Sequence, residues 1–197
     1  MPYWNFKPEW TGKDCFIIGG GCSLKQFNFD ILKGKTVLSV NNHGRVKTAI
    51  YYGDIGRPEN PNELANNKAA LEASRVPVYV NSEALQADYP WLRSVLHREV
   101  GLHTDAIGWN ETSGAGAINL ALLHGAKKLY LLGFDMQGDG INGEKISEHW
   151  FTIITWLFSR YVYRDWKKKF SDREIINVTD SSRLDCFPKI ALKGWKP

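Results

Sequence analysis

The chain has 197 residues, 43% hydrophobic and 23% charged, with a net charge of +4, proportions that fit one globular domain over 1–197 with a sizeable core. Its three cysteines, Cys15, Cys22 and Cys186, are odd in number and form no Cys-x-x-Cys pair, which argues against a disulfide framework or a zinc site and for reduced thiols in a cytoplasmic protein. The first ten residues lack the apolar stretch of a signal peptide, and the longest apolar segment, 150–162, is too short for a membrane span and contains Arg160.

In chain order, residues 15–19 (Cys-Phe-Ile-Ile-Gly) read as a buried strand ending in glycines. Residues 24–33 are short and turn-rich. Thr36–Val40 is a second strand running into Asn41 and Asn42, and Ala49–Tyr52 a third ending at Gly53 and Asp54. Residues 62–74 have helical composition after Pro61. A fourth strand over 77–80 ends at Asn81, and 82–110 shows no regular pattern. Residues 114–125 are small and apolar, as in a helix packed tightly on a sheet. Lys128–Leu132 is the clearest central strand, followed by Gly133, Phe134 and Asp135. Residues 150–169 form a long amphipathic helix, and 174–178 a last strand leading to Ser181. Arg164, Lys167, Lys168, Lys169 and Arg173 cluster where that helix ends, so dipole complementarity accounts for much of the basic balance.

Strands alternating with helices predict an α/β fold: a doubly wound, Rossmann-like domain with a mostly parallel sheet. In such sheets ligands sit beyond the carboxyl ends of the strands. There this chain carries Gly19, Gly20, Gly21, Asn41, Asn42, Asp54, Gly133, Asp135 and Ser181, the small and polar set that a polar ligand needs.

Each motif has a functional and a plain reading. Gly19-Gly20-Gly21-Cys22-Ser23 can turn backbone N–H groups and a hydroxyl toward a phosphate; it is also a tight turn capped by Ser23. Thr112-Ser113-Gly114 can hold a second part of the same ligand or cap the small-residue helix. Asp54 and Asp135 can bond a ribose, cap a turn, or hold Mg²⁺ beneath a diphosphate; the first two roles are favoured over a metal site. Among five histidines, His149 opens the long helix and is the candidate general base, with His43 next.

Taken in order, Ile-Ile-Gly-Gly-Gly-Cys-Ser-Leu, Ser-Val-Asn-Asn, Thr-Ser-Gly-Ala-Gly and Leu-Leu-Gly-Phe-Asp-Met-Gln resemble the bacterial family 42 sialyltransferases and their relatives. Those relatives include archaeal hydroxymethylpterin pyrophosphokinases and short phage-encoded proteins. The resemblance spans 16–188, with 57–110 largely unmatched. It implies a GT-A-like variant of the fold and a metal-independent transferase using a nucleotide-activated donor (CMP-, UDP- or similar). It assigns phosphate to Gly19, Gly21 and Ser23, the donor to Asn41, Ser113 and Gly114, the nucleoside to Gly133 and Asp135, and the base to His149. The chain departs from the family pattern at Cys22, where the family has Pro, at Asn110, where it has Arg, and at Met136 and Gln137, where it has Tyr. The lid is cut to 138–148.

Three functions compete on this reading. The first is a glycosyltransferase acting on a nucleotide sugar and a large acceptor, such as modified DNA in a phage setting. The second is an ATP-using pyrophosphokinase that needs Mg²⁺. The third is a non-catalytic nucleotide binder.

Overall fold

Every segment read above as a strand becomes a parallel strand. The computed structural model describes residues 3–53, 63–82, 85, 89–108 and 110–197. Within them lie β1 (Asp14–Ile18), β2 (Thr36–Val40), β3 (Ala49–Tyr52), β4 (Val78–Val80), β5 (Leu92–Ser94), β6 (His97–Arg98), β7 (Ile107–Gly108), β8 (Lys128–Leu132) and β9 (Glu174–Asn177). The main sheet has the order β5-β4-β3-β2-β1-β8-β9, and all its pairings are parallel. The helices are α1 (Glu63–Ser74), α2 (Ser113–Leu123), α3 (Glu148–Leu157) and α4 (Tyr163–Lys169), with a π-helical turn at Phe158–Val162 joining the last two. The expected long helix thus starts two residues early, because the Ser147 hydroxyl accepts from Trp150 N at 3.1 Å and caps the turn. The turn-rich 24–33 becomes two 3₁₀ turns, Cys22–Leu24 and Phe29–Leu32.

The inner strands β1, β2 and β3 are buried on both faces, as a parallel sheet requires. Along β1, Cys15 and Ile17 pack with α2, α3 and α4, while Phe16 and Ile18 face Leu24, Leu32 and Val178 on the other side. α2 lies close against the sheet: a Cβ at Gly116 would stand 2.5 Å from the Tyr51 hydroxyl. That closeness is the physical content of its small-residue composition.

Three strands inside 82–110 had no legible pattern. β5 spans three residues and includes Arg93, whose guanidinium bonds the Tyr79 hydroxyl at 2.6 Å and covers the rings of Trp4 and Tyr79. β6 and β7 pair over two residues each and are held by distant buried side chains. Asn119 of α2 accepts from His103 N (2.9 Å) and Gly108 N (3.1 Å), and Asp165 of α4 accepts from Leu102 N (3.0 Å). Asp165 also pairs with Arg164 and Lys169, so part of the basic cluster is neutralised locally. All three cysteines are free thiols. Among the described residues no helix is long and apolar enough to cross a membrane.

From β1 the chain winds outward through β2, β3, β4 and β5, then returns to β8 on the opposite side of β1. The switch point lies between the carboxyl ends of β1 and β8, where such sheets open a crevice.

Candidate functional site

A cavity of about 450 Å³ opens at that switch point. Four segments wall it: Gly19–Gly21 after β1, Val40, Asn41 and His43 after β2, Glu111–Gly114 at the start of α2, and Gly133–Gln137 after β8. Asp139, Gly140, Glu144, Ile146, Trp150 and Phe151 close one side.

The glycine turn is clamped on two sides. Gly19 N donates to Leu132 O (2.8 Å) and Gly21 N to Gly133 O (2.9 Å), which extends the β1–β8 pairing into the site. Ile141 N donates to Gly20 O at 2.7 Å, and Gly21 bridges Gly140. A Cβ at Gly19 would meet Gly133 O at 2.8 Å; one at Gly21 would lie 2.6 Å from both Asp135 Cγ and Gly133 O. These glycines are therefore required for two strand ends to approach each other, whatever else they face. At Gly20 the neighbour is His43 Nε2, 2.9 Å from where a Cβ would stand.

Ser23 does not line the cavity. Its N–H and hydroxyl donate to the two oxygens of Asp135 at 2.7 and 2.6 Å, and Cys22 Sγ reaches the same carboxylate at 3.5 Å. The anion at the start of the Cys22–Leu24 turn is thus the Asp135 side chain, which is 3% exposed. Asp135 still contributes to the wall, and Arg183 N (onto Asp135 O) with Ser182 Oγ (onto Phe134 O) braces its backbone from beyond β9.

Asn41 and Asn42 are both left-handed, with φ of 48° and 61°, and fold the chain back so that His43 N reaches Val40 O. Asn41 lines the cavity, and its buried Oδ1 has no hydrogen-bond partner among the described residues. Asn42 instead accepts from Lys47 Nζ, outside the cavity wall. Glu111 (φ 55°) and Met136 (φ 52°) are also left-handed residues of the wall. Strained backbone of this kind gathers at functional sites.

Thr112 caps α2, its hydroxyl accepting from Gly114 N (3.3 Å), while Ser113 packs against Gly53; both residues and Gly114 line the cavity. Ser181 is exposed and lends its carbonyl to Gln137 Nε2 at 2.6 Å. Asp54 lies outside the described residues. His149, on the first turn of α3, is exposed and outside the cavity wall, next to the wall residues Trp150 and Phe151. Asn110, at the family's Arg position, is 2% exposed: it accepts from Gly101 N and donates to Gly101 O and Gly108 O. It is wholly spent on fixing β6 and β7.

The wall also holds residues that no motif pointed to: the carboxylates Glu111, Asp139 and Glu144 and the apolar Ile146, Trp150 and Phe151. Asp139 is paired with Lys145 (3.0 Å). Glu144 accepts from Asn142 N and Nδ2, and hydrogen bonds from its own backbone and from Asn142 hold its carboxyl below the usual range. Burial pushes the His43 imidazole down, with Glu144 pulling it up and Lys47 pushing further down. His43 is thus a neutral, base-competent ring near pH 7. Among the described residues no three His, Cys, Asp or Glu side chains gather to hold a metal ion.

No protein-family model and no curated protein matches this sequence. Solved structures do. The sialyltransferase CstII from Campylobacter jejuni, in complex with cytidine-5'-monophosphate, aligns with a TM-score of 0.57 at 15% identity over 92% of this chain and 86% of that one. The α-2,3-sialyltransferase Cst-I from Campylobacter jejuni aligns with a TM-score of 0.58 at 17% identity, over 90% and 80%. CST-II in complex with a trisaccharide acceptor and CMP aligns at 0.55 and 14%, over 91% and 86%. The chain therefore has the α/β fold of these sialyltransferase structures, with the cavity at the switch point of its parallel sheet.

Proposed function

We propose that the chain is a transferase that takes its donor as a nucleotide-activated group, in the simplest case a glycosyltransferase acting on a nucleotide sugar. The observation that carries this reading is the cavity between the carboxyl ends of β1 and β8, in a fold whose CstII structure holds CMP. A volume of about 450 Å³ suits a nucleotide with part of its sugar. In this reading the phosphate lies against Gly19, Gly20 and Gly21 and the opening of α2 at Ser113 and Gly114, where backbone N–H groups favour an anion. The unpartnered Oδ1 of Asn41 accepts from the donor, and Gly133 and Asp135 flank the nucleoside. Ser23 supports this site through Asp135.

Transfer then needs no metal. The acceptor oxygen bonds the anomeric carbon as the bond from that carbon to the phosphate oxygen breaks. The electron pair leaves on the nucleotide phosphate, and the acceptor proton passes to a base, His149 in this reading. The short 138–148 segment leaves the rim open to a large acceptor, modified DNA among the candidates.

The test is thermal melting of the chain with CMP, CDP, UDP, ADP, ATP and GDP, each with and without Mg²⁺. Ligand at a hundred times its Kd stabilises by about 2.7 kcal/mol. A metal-independent shift with CMP, reduced in Asn41→Gly (which keeps the left-handed backbone and removes the carboxamide), is the expected result. A shift with ATP that requires Mg²⁺ would replace this reading with the pyrophosphokinase. No shift with any nucleotide would sink both.

A further inference from the structure

The wall of the cavity has an unusual charge pattern for a phosphate site. Four carboxylates line it, Glu111, Asp135, Asp139 and Glu144, and no Lys or Arg does so among the described residues. Among the described residues, the single side chain in the wall that can become a cation is His43. Its ring lies directly on the glycine turn, with Nε2 2.9 Å from the Cβ position of Gly20, and its backbone is fixed by His43 N onto Val40 O and by Ser39 Oγ donating to His43 O at 2.5 Å. The two left-handed asparagines before it set that placement. Among the described residues of the wall, a phosphate held by the glycine turn therefore has the imidazole as its one basic neighbour.

We infer that His43 is a phosphate ligand of this site and takes up a proton when a nucleotide phosphate binds. The inference rests on the proposed nucleotide reading and adds to it a residue, a charge state and a pH dependence. The charged groups facing His43 are Glu144 from the 138–148 segment, which favours the imidazolium, and Lys47 from its own loop, which opposes it. Asp135, Asp139 and Glu111 share the cavity wall. Burial keeps the ring neutral in the free protein. A bound phosphate brings negative charge against it and raises its proton affinity. By linkage, CMP binds more tightly as pH falls, by about tenfold for each unit by which phosphate raises the His43 pKa. The gain is complete below the free pKa, itself under 6.5, and absent above the bound pKa.

The experiment is calorimetric titration of the full chain with CMP at pH 7.0 in two buffers of different ionisation enthalpy, and affinity measurement from pH 7.5 to 6.0, for wild type and His43→Gln. The second ionisation of CMP, near 6, acts equally on both proteins, so the comparison isolates the histidine. Wild type is expected to take up protons and to gain several-fold in affinity relative to His43→Gln, which takes up none. Imidazole nitrogen spectra of the wild type alone provide a second readout: the His43 signals should move from a neutral tautomer to imidazolium on adding CMP. Glu144→Gln should make the proton uptake at pH 7.0 smaller. If CMP binds the wild type with no buffer dependence and His43 stays neutral, the inference is overturned and the nucleotide site survives. If CMP neither releases heat nor shifts the melting point, the nucleotide reading fails and the inference fails with it.

Discussion

Replacing Asp135 by alanine separates the role of this carboxylate inside the fold from any role toward a ligand. The side chain is 3% exposed and accepts two short bonds from Ser23, from N at 2.7 Å and Oγ at 2.6 Å. Its removal leaves the Ser23 N–H and hydroxyl without their acceptor in a half-buried turn and opens space beside Gly21. Hydrogen bonds to a charged group contribute about 1.5–3 kcal/mol each, and the two share one partner, so Asp135→Ala is expected to destabilise by about 2–4 kcal/mol. For a chain of this length, that lowers the melting temperature by roughly 5–15 °C. Ser23→Ala removes one of the two donors and should cost about 1 kcal/mol. Because the residues are direct partners, the double variant should cost less than the sum, with a coupling of about 1 kcal/mol in urea unfolding. Additive losses would refute the brace, and Ser23 would return to the phosphate role suggested by its place after the glycines.

Other perturbations probe the frame around the site. Gly116→Val puts a branched side chain where even a lone Cβ would stand 2.5 Å from the Tyr51 hydroxyl; melting should report a loss of about 1–3 kcal/mol, and no loss would mean that α2 can lift from the sheet. Asn110→Arg restores the charge of the family pattern, yet breaks three backbone bonds of a residue 2% exposed, so it should destabilise by at least about 2 kcal/mol and give no gain in CMP affinity. His124 is buried among Trp4, Trp10 and Tyr79, and burial lowers its pKa to about 4. The unfolded chain therefore binds the extra proton first: stability is full above the ordinary pKa of 6.5 and falls as pH drops from there toward 4. About 2 kcal/mol should be lost between pH 7 and 5 in urea titrations. His124→Phe should remove that slope, and an unchanged slope would assign it to other groups.

Much of the frame was open to reading because it rests on local pattern. β2, β3 and β8 are short runs of apolar residues, and burial on both faces of a parallel strand demands that composition. The glycines of α2 were readable as close packing: Gly116 packs against Tyr51 and Gly114 against Phe134. β5, β6 and β7 were not readable, since two or three residues carry no period and their positions depend on Asn119, Asn110 and Asp165, far apart in sequence. The site divides in the same way. Gly19, Gly20, Gly21, Asn41, Thr112, Ser113, Gly114, Gly133 and Asp135 were named from strand and helix ends, and all of them line one cavity. Glu111, Glu144 and Trp150 were missed, and His43 was placed second to His149, because a wall is assembled by loops whose courses no spacing rule fixes.

The sequence by itself determined an alternating α/β chain with small and polar residues at the ends of its strands, since strand burial, helix caps and tight turns each constrain neighbouring positions. Only the tertiary structure decided what those residues face. It turned Ser23 onto Asp135, set His43 against Gly20 and left His149 on the rim. The physical reason is that direction and partner depend on which strand end arrives alongside, and β8 comes to lie next to β1 only after the chain has passed through β2 to β7 and returned.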